Sequence, residues 1–311
     1  MRTFAVAIVA AAAAIAAAAL ATQAQAAPSE AAWSAAIARI PAPGRGCFEA
    51  DYPLAVWKQV ACTVAPLRPY APAGTVGAGA DYAAETKRLT AQATGFFAAV
   101  KGLQWERGAG NQENSYSLQL NSNLMAGDPA CAGAADPGAC RGWQQFAYSA
   151  GFGVAFIQYW LIDYGAACPA GWAAFETSCF LNGPAVSAPP MTIAQIETTK
   201  LSGAAVKGGL DTLVLTAKRK AYSVTGDDGV LTLAKGWRGT EFNVFGDGGR
   251  AQATFNPGTT LTVEIDVVAG TRKAPTCQAS GGTSGETNNL TLGACTAARG
   301  KTPRVTFTEG N

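Results

Sequence analysis

The chain has 311 residues, 49% of them hydrophobic and only 14% charged, with a formal net charge of +2 and no histidine. That length supports one large β domain or two ordinary ones, and the near-neutral balance without Lys/Arg blocks excludes a nucleic-acid partner held by charge. The missing histidine excludes Ser-His-Asp and Cys-His catalysis and histidine-based zinc or copper sites, so any acid–base work falls to carboxylates, Tyr, Lys or a bound cofactor; no phosphate-cradling G-x-x-x-x-G-K-S/T is present, and no cofactor is expected.

The N-terminus reads as a signal peptide over residues 1–26. Arg2 supplies the positive start, Phe4–Leu20 is a continuous apolar run, and Ala24-Gln25-Ala26 fits the small-x-small cleavage rule. The mature chain is therefore expected to be secreted or periplasmic, with no membrane contact after cleavage. Residues 27–80 read as an N-terminal extension. It has a short helix near Trp33–Ile40, a disulfide-sized loop Cys47–Cys62, and a Pro/Ala/Gly-rich linker over Ala65–Ala80.

From Asp81 to the end, residues 81–311, short β-like runs alternate with Gly, Asn, Asp and Pro turns. The runs are Thr90–Val100, Ser115–Asn121, Gly142–Ser149, Gly153–Asp163, Thr212–Ala217 and Ala221–Thr225. They continue with Val230–Ala234, Thr240–Phe245, Ala251–Asn256, Thr259–Val267, Asn289–Leu292 and Arg304–Thr308. The single helix expected here is Thr192–Leu201. This pattern predicts an all-β, antiparallel, lectin-like (concanavalin-like) β-sandwich with a disulfide-braced N-terminal extension.

Eight cysteines fall along the chain as four close pairs: Cys47 and Cys62, Cys131 and Cys140, Cys168 and Cys179, Cys277 and Cys295. An even count in an exported chain points to disulfides, and nearest-neighbour pairing is expected. No C-x-x-C spacing suggests a metal.

Alternate side chains on a strand share a face. Phe242 and Val244 therefore point one way, Glu241 and Asn243 the other, with Trp237 a few residues before. Trp143 and Gln145 share a face of a second strand; Phe156, Gln158 and Trp160 share a face of a third. In Ser115–Asn121 the residues Tyr116, Leu118 and Leu120 face inward, while Ser117, Gln119 and Asn121 face outward. Taken singly, each polar position reads as an ordinary half-exposed strand residue. Together they predict a groove in which Trp143, Gln158, Trp160, Trp237 and Asn243 bind substrate.

"GCFEADYPLAVWKQVAC", "YSLQLNSN", "GWQQFAYS", "AFIQYWLIDYG" and "EFNVFGDGG" resemble a family of secreted bacterial proteins, mostly uncharacterised, over nearly the whole mature chain. A more distant resemblance is to the glutamic peptidases called eqolisins. It rests on "ATGFFAAVKG", "SYSLQLNSN", "GWQQFAY", "AFIQYWLIDYG", "GTEFNVFGDGG" and "RVTFTEG", in that order. That resemblance implies Glu241 as the catalytic carboxylate and Gln145 as its amide partner, Gln144 being the lesser choice because it faces the other side. It implies an acid-acting endopeptidase in which Glu241 activates a water and the Gln145 amide holds it. Two positions depart from the pattern: Gln158 stands where the family has Glu, and Phe242 stands where it has Trp.

A retaining glycosidase would need two carboxylates about 5–5.5 Å apart. Glu241 has Asn243 two residues on and Gly246 five on, so its strand does not supply the second. The remaining alternative is a non-catalytic carbohydrate- or peptide-binding lectin-like protein. Either way the expected partner is an extracellular polypeptide or glycan.

Overall fold

The computed structural model describes residues 27–70 and 81–311. The expected signal peptide and most of the expected linker lie outside the described residues. Two large antiparallel sheets, one of nine strands and one of ten, face each other across a common apolar core. The expected β-sandwich is thus present. Five strands of the ten-stranded sheet carry a polar row, four of them expected from the sequence: β1 (Tyr116–Ser122), β2 (Arg141–Ser149), β3 (Val154–Ile162), β4 (Ser178–Ser187) and β5 (Gly239–Gly246), β4 being the addition. They lie side by side in the order β4-β3-β2-β1-β5.

Period-2 alternation sorts the side chains as expected. Leu118, Leu120, Phe146, Phe242 and Val244 all point into the core between the sheets. The opposing sheet meets these aromatics with glycines. A Cβ at Gly95 would fall inside the Phe242 ring, one at Gly203 against Phe146, and one at Gly226 on the Tyr159 hydroxyl. Glycine within a strand is otherwise unfavourable, and here it lets the other sheet approach closely. Gln144 also points between the sheets, where its amide donates to Asp211 at 2.8 Å.

The N-terminal extension is built onto the sandwich. Helix Glu30–Ile37 is capped by Ser29, whose hydroxyl accepts from the Ala32 N–H at 3.2 Å. Trp33 and Ile37 bury against Ala50 and Ala221. Strand Cys47–Asp51 pairs with Lys220–Asp227 in the nine-stranded sheet. All four disulfides join nearest neighbours: Cys47–Cys62, Cys131–Cys140, Cys168–Cys179 and Cys277–Cys295. Among the described residues no helix is long and apolar enough to cross a membrane.

Several elements differ from expectation, and three of the differences have a clear local cause. Thr192–Leu201 is not one helix: a 3-10 turn, Ile193–Thr198, gives way to strand Thr199–Ala204. The β-branched Thr198 and Thr199 favour the extended chain, and the strand brings Gly203 under Phe146. Val230–Ala234 is not a strand. The Asp228 carboxylate accepts the N–H groups of Gly208 and Ala234, which curls the chain into the short helix Leu233–Gly236. Strand β4 was not expected, because Gly183-Pro184 interrupts its pattern; the pairing with β3 slips between Phe156 and Gln158 at that point.

Candidate functional site

The face of the ten-stranded sheet turned away from the core carries a transverse row of amides ending in a carboxylate. Cross-strand register places Asn182 beside Gln158, Gln158 beside Gln145, Gln145 beside Asn121, and Asn121 beside Glu241. The expected parity therefore brings Gln145 and Glu241 onto one face. It also puts Asn121 between them, so their backbones stand two strands, or about 9.6 Å, apart.

The hydrogen bonds follow that order. Glu241 Oε2 accepts from Asn121 Nδ2 at 2.9 Å, the Thr283 N–H at 2.8 Å, Thr283 Oγ1 at 3.0 Å and the Ser284 N–H at 3.0 Å. Glu241 Oε1 has no partner and faces Gly282, where any side chain would collide with it. Gln145 does not touch Glu241. Its Nε2 donates to Gln119 Oε1 at 3.0 Å, and its Oε1 accepts the Trp160 indole N–H at 3.0 Å. The amide in direct contact with the carboxylate is Asn121.

Of the residues expected to line the groove, Trp143, Gln158, Trp160 and Asn243 lie on this face. Trp143 and Trp160 pack together at 6.1 Å between ring centroids. Trp143 donates to the Ser122 carbonyl and to Thr283. Trp237 does not belong to the face: it precedes β5, stacks on Phe146 in the core and donates to the Gly239 carbonyl. Strand parity could not place it, because it lies outside the strand.

The expected groove is closed. Glu241 is 2% exposed and Gln145 is fully buried. Two segments cover the row. Over Glu241 lies the loop 279–286, whose Thr283 and Ser284 N–H groups hold the carboxylate. Over Gln158 lies a segment of the N-terminal extension, Pro66–Tyr70.

Beside Glu241 the fold gathers carboxyls that the sequence leaves far apart. Asn243 Nδ2 donates to Asp81 at 2.7 Å and to Glu309 at 3.0 Å. Asp81, Glu241, Ser284, Glu286 and Glu309 surround a cavity of about 10 Å³, room for one water at most. Burial, reinforced by Glu309 and Glu241, holds Asp81 well above the usual carboxylate range. Burial pushes Glu286 and Glu309 up to about 7 each, against hydrogen bonds that favour their charged forms. Asn121 and Gln119 were legible as outward-facing polar positions of "YSLQLNSN". Asp81, Ser284, Glu286 and Glu309 carried no periodic signal that would link them to Glu241. Among the described residues no group of three or more acids, cysteines or histidines is arranged to hold a metal ion.

No family model matches the chain, and no curated protein does. Among solved structures, the chain is similar to scytalido-glutamic peptidase, solved with a transition state analog inhibitor. Identity is 12%, 75% of this chain and 98% of that chain are covered, and the TM-score is 0.27. At that level of superposition the site rests on its own geometry.

Proposed function

We propose that the chain is a secreted, acid-acting endopeptidase of glutamic type, its site covered by its own chain in this structure. One observation supports the reading above the rest. Glu241 has one carboxylate oxygen saturated by four donors and the other free, beside a water-sized cavity. Four donors on Oε2 fix the orientation of the group, and Oε1 is left to take a proton. In the reaction Glu241 Oε1 accepts a proton from a water as that water adds to the peptide carbonyl, then returns it to the leaving amine. The Asn121 amide holds Oε2 and so orients the carboxylate, and Gln145 Nε2, next along the row with one N–H uncommitted, donates to the developing oxyanion. Gln145 thereby moves from direct partner to second in line. Four disulfides suit an oxidising compartment.

Coverage of the row favours a second reading, a non-catalytic peptide- or carbohydrate-binding protein. Hydrolysis separates the two. Wild type and Glu241→Gln are incubated with an unfolded protein substrate from pH 3 to 7, and new amino termini are counted. Glutamine keeps the shape and the acceptor of Oε2 but cannot act as a base. The expected loss is about 10²- to 10⁴-fold, with the fold retained. Equal rates, or no cleavage by either protein even after Pro66–Tyr70 is replaced, would remove the peptidase reading. Asn121→Ala is expected to lower the rate more than Gln145→Ala, because only Asn121 touches the carboxylate.

A further inference from the structure

The segment over Gln158 is held in a specific way. Gln158 Oε1 accepts the Tyr70 N–H at 2.9 Å, and its Nε2 donates to the Arg68 carbonyl at 3.0 Å. Asn182 Nδ2 donates to the Pro66 carbonyl at 2.8 Å. Main-chain groups of residues 66, 68 and 70 are thus gripped by side-chain amides of the sheet face, not by a sheet edge. Between them Leu67 projects outward, 80% exposed. Tyr70 drops its ring among Ala147, Val154 and Phe156 and donates its hydroxyl to Asp247. Arg68 reaches the same aspartate and lies over Phe152. The Gly249 N–H donates to the Pro69 carbonyl at 2.7 Å, and a side chain at Gly248 would collide with Arg68.

We infer that the Gln158–Asn182 end of the row is a binding site for the main chain of a polypeptide, and that Pro66–Tyr70 is its resident occupant. An amide that accepts from one N–H and donates to a carbonyl two residues back reads backbone without regard to sequence. The occupant seen there offers a main-chain N–H and the carbonyl two residues back to one amide, so the class of ligand is polypeptide. The site is wired to the rest of the row. The Trp160 indole N–H, shared between Gln158 Oε1 and Gln145 Oε1, links the two amides. An incoming chain that displaced Pro66–Tyr70 would therefore lie along the line leading to Glu241. The inference builds on the endopeptidase reading and names its ligand, yet binding and hydrolysis can fail separately.

The test is binding, read by fluorescence anisotropy. The probe is a labelled peptide of sequence APLRPY, residues 65–70, added to the full chain and to a full chain with residues 66–70 replaced by Gly and Ser. The replaced chain is expected to bind the probe at least about tenfold more tightly than wild type, and Gln158→Ala in that background to lose about tenfold. Glu241→Gln in the same background is expected to keep the binding, whatever happens to hydrolysis. A folded replaced chain that ignores the peptide overturns the inference, and so does binding indifferent to Gln158→Ala. If the replaced chain does not fold, hydrogen exchange on wild type decides. A Tyr70 amide exchanging faster than the amides of β3 supports a releasable occupant. Exchange as slow as β3 makes the segment a fixed part of the core and overturns it.

Discussion

Heating the protein at pH 4 and at pH 8 is expected to give a higher unfolding midpoint at pH 4, by about 10 °C or more. The cause is a set of buried carboxyls with no cation to pair with. Glu106, Asp211, Glu286 and Glu309 are all buried, and among the described residues none forms an ion pair. Burial pushes Glu106 up to about 8 and Asp211, Glu286 and Glu309 up to about 7 each. All four are raised above their unfolded values, so the folded state binds more protons than the unfolded one. Their contribution is complete below the ordinary carboxylate pKa near 4 and is lost as pH climbs through 7 to 8. Holding one such group near 7 costs about 3 kcal/mol once it must ionise. Glu309→Gln keeps an acceptor for Asn243 and Asn288 while removing the charge. It is expected to raise the midpoint at pH 8 and leave it unchanged at pH 4. A midpoint at pH 8 equal to or above that at pH 4 would contradict this account. The sign fits a protein that works in acid, and the groups nearest Glu241 contribute to it.

Gly95→Ala is expected to cost about 3 kcal/mol, at the upper end for an overpacked core, because the added methyl must enter the Phe242 ring. Phe242 is fully buried and already packs on Phe97 at 5.4 Å between ring centroids. Guanidinium unfolding of Gly95→Ala, Phe242→Ala and the double variant measures the coupling. The double variant is expected to lose clearly less than the sum of the two single losses, since Phe242→Ala removes Cγ, Cδ1 and Cδ2, the atoms the methyl would meet. Simple additivity would show that the ring is not what the methyl meets. Phe242 neighbours Glu241 on β5, so the same substitution is expected to disturb the carboxylate row on the opposite face.

Alternation alone told which side chains share a face. Tyr116, Leu118 and Leu120 against Ser117, Gln119 and Asn121, and Phe242 and Val244 against Glu241 and Asn243, are local facts fixed by a two-residue period. Cysteine spacing left the connectivity open but favoured nearest neighbours, because short loops bring them within reach, and the structure pairs them so. Punctuation was less legible: Gly183-Pro184 hid a strand through a bulge, and Asp228 bent an apolar run into a helix.

Which strands lie next to each other is not local, and the site depends on that. Only the tertiary structure decided that Asn121 stands between Glu241 and Gln145, because strand order is set by how whole sheets bury their apolar faces. Only it brought Asp81, Glu286 and Glu309 to Asn243 and Glu241, from loops and strands with no shared period. It also closed the face that alternation marked as outward. A strand's polar side points away from the core, and whether water or more protein lies beyond it is decided by other parts of the chain, here residues 66–70 and 279–286.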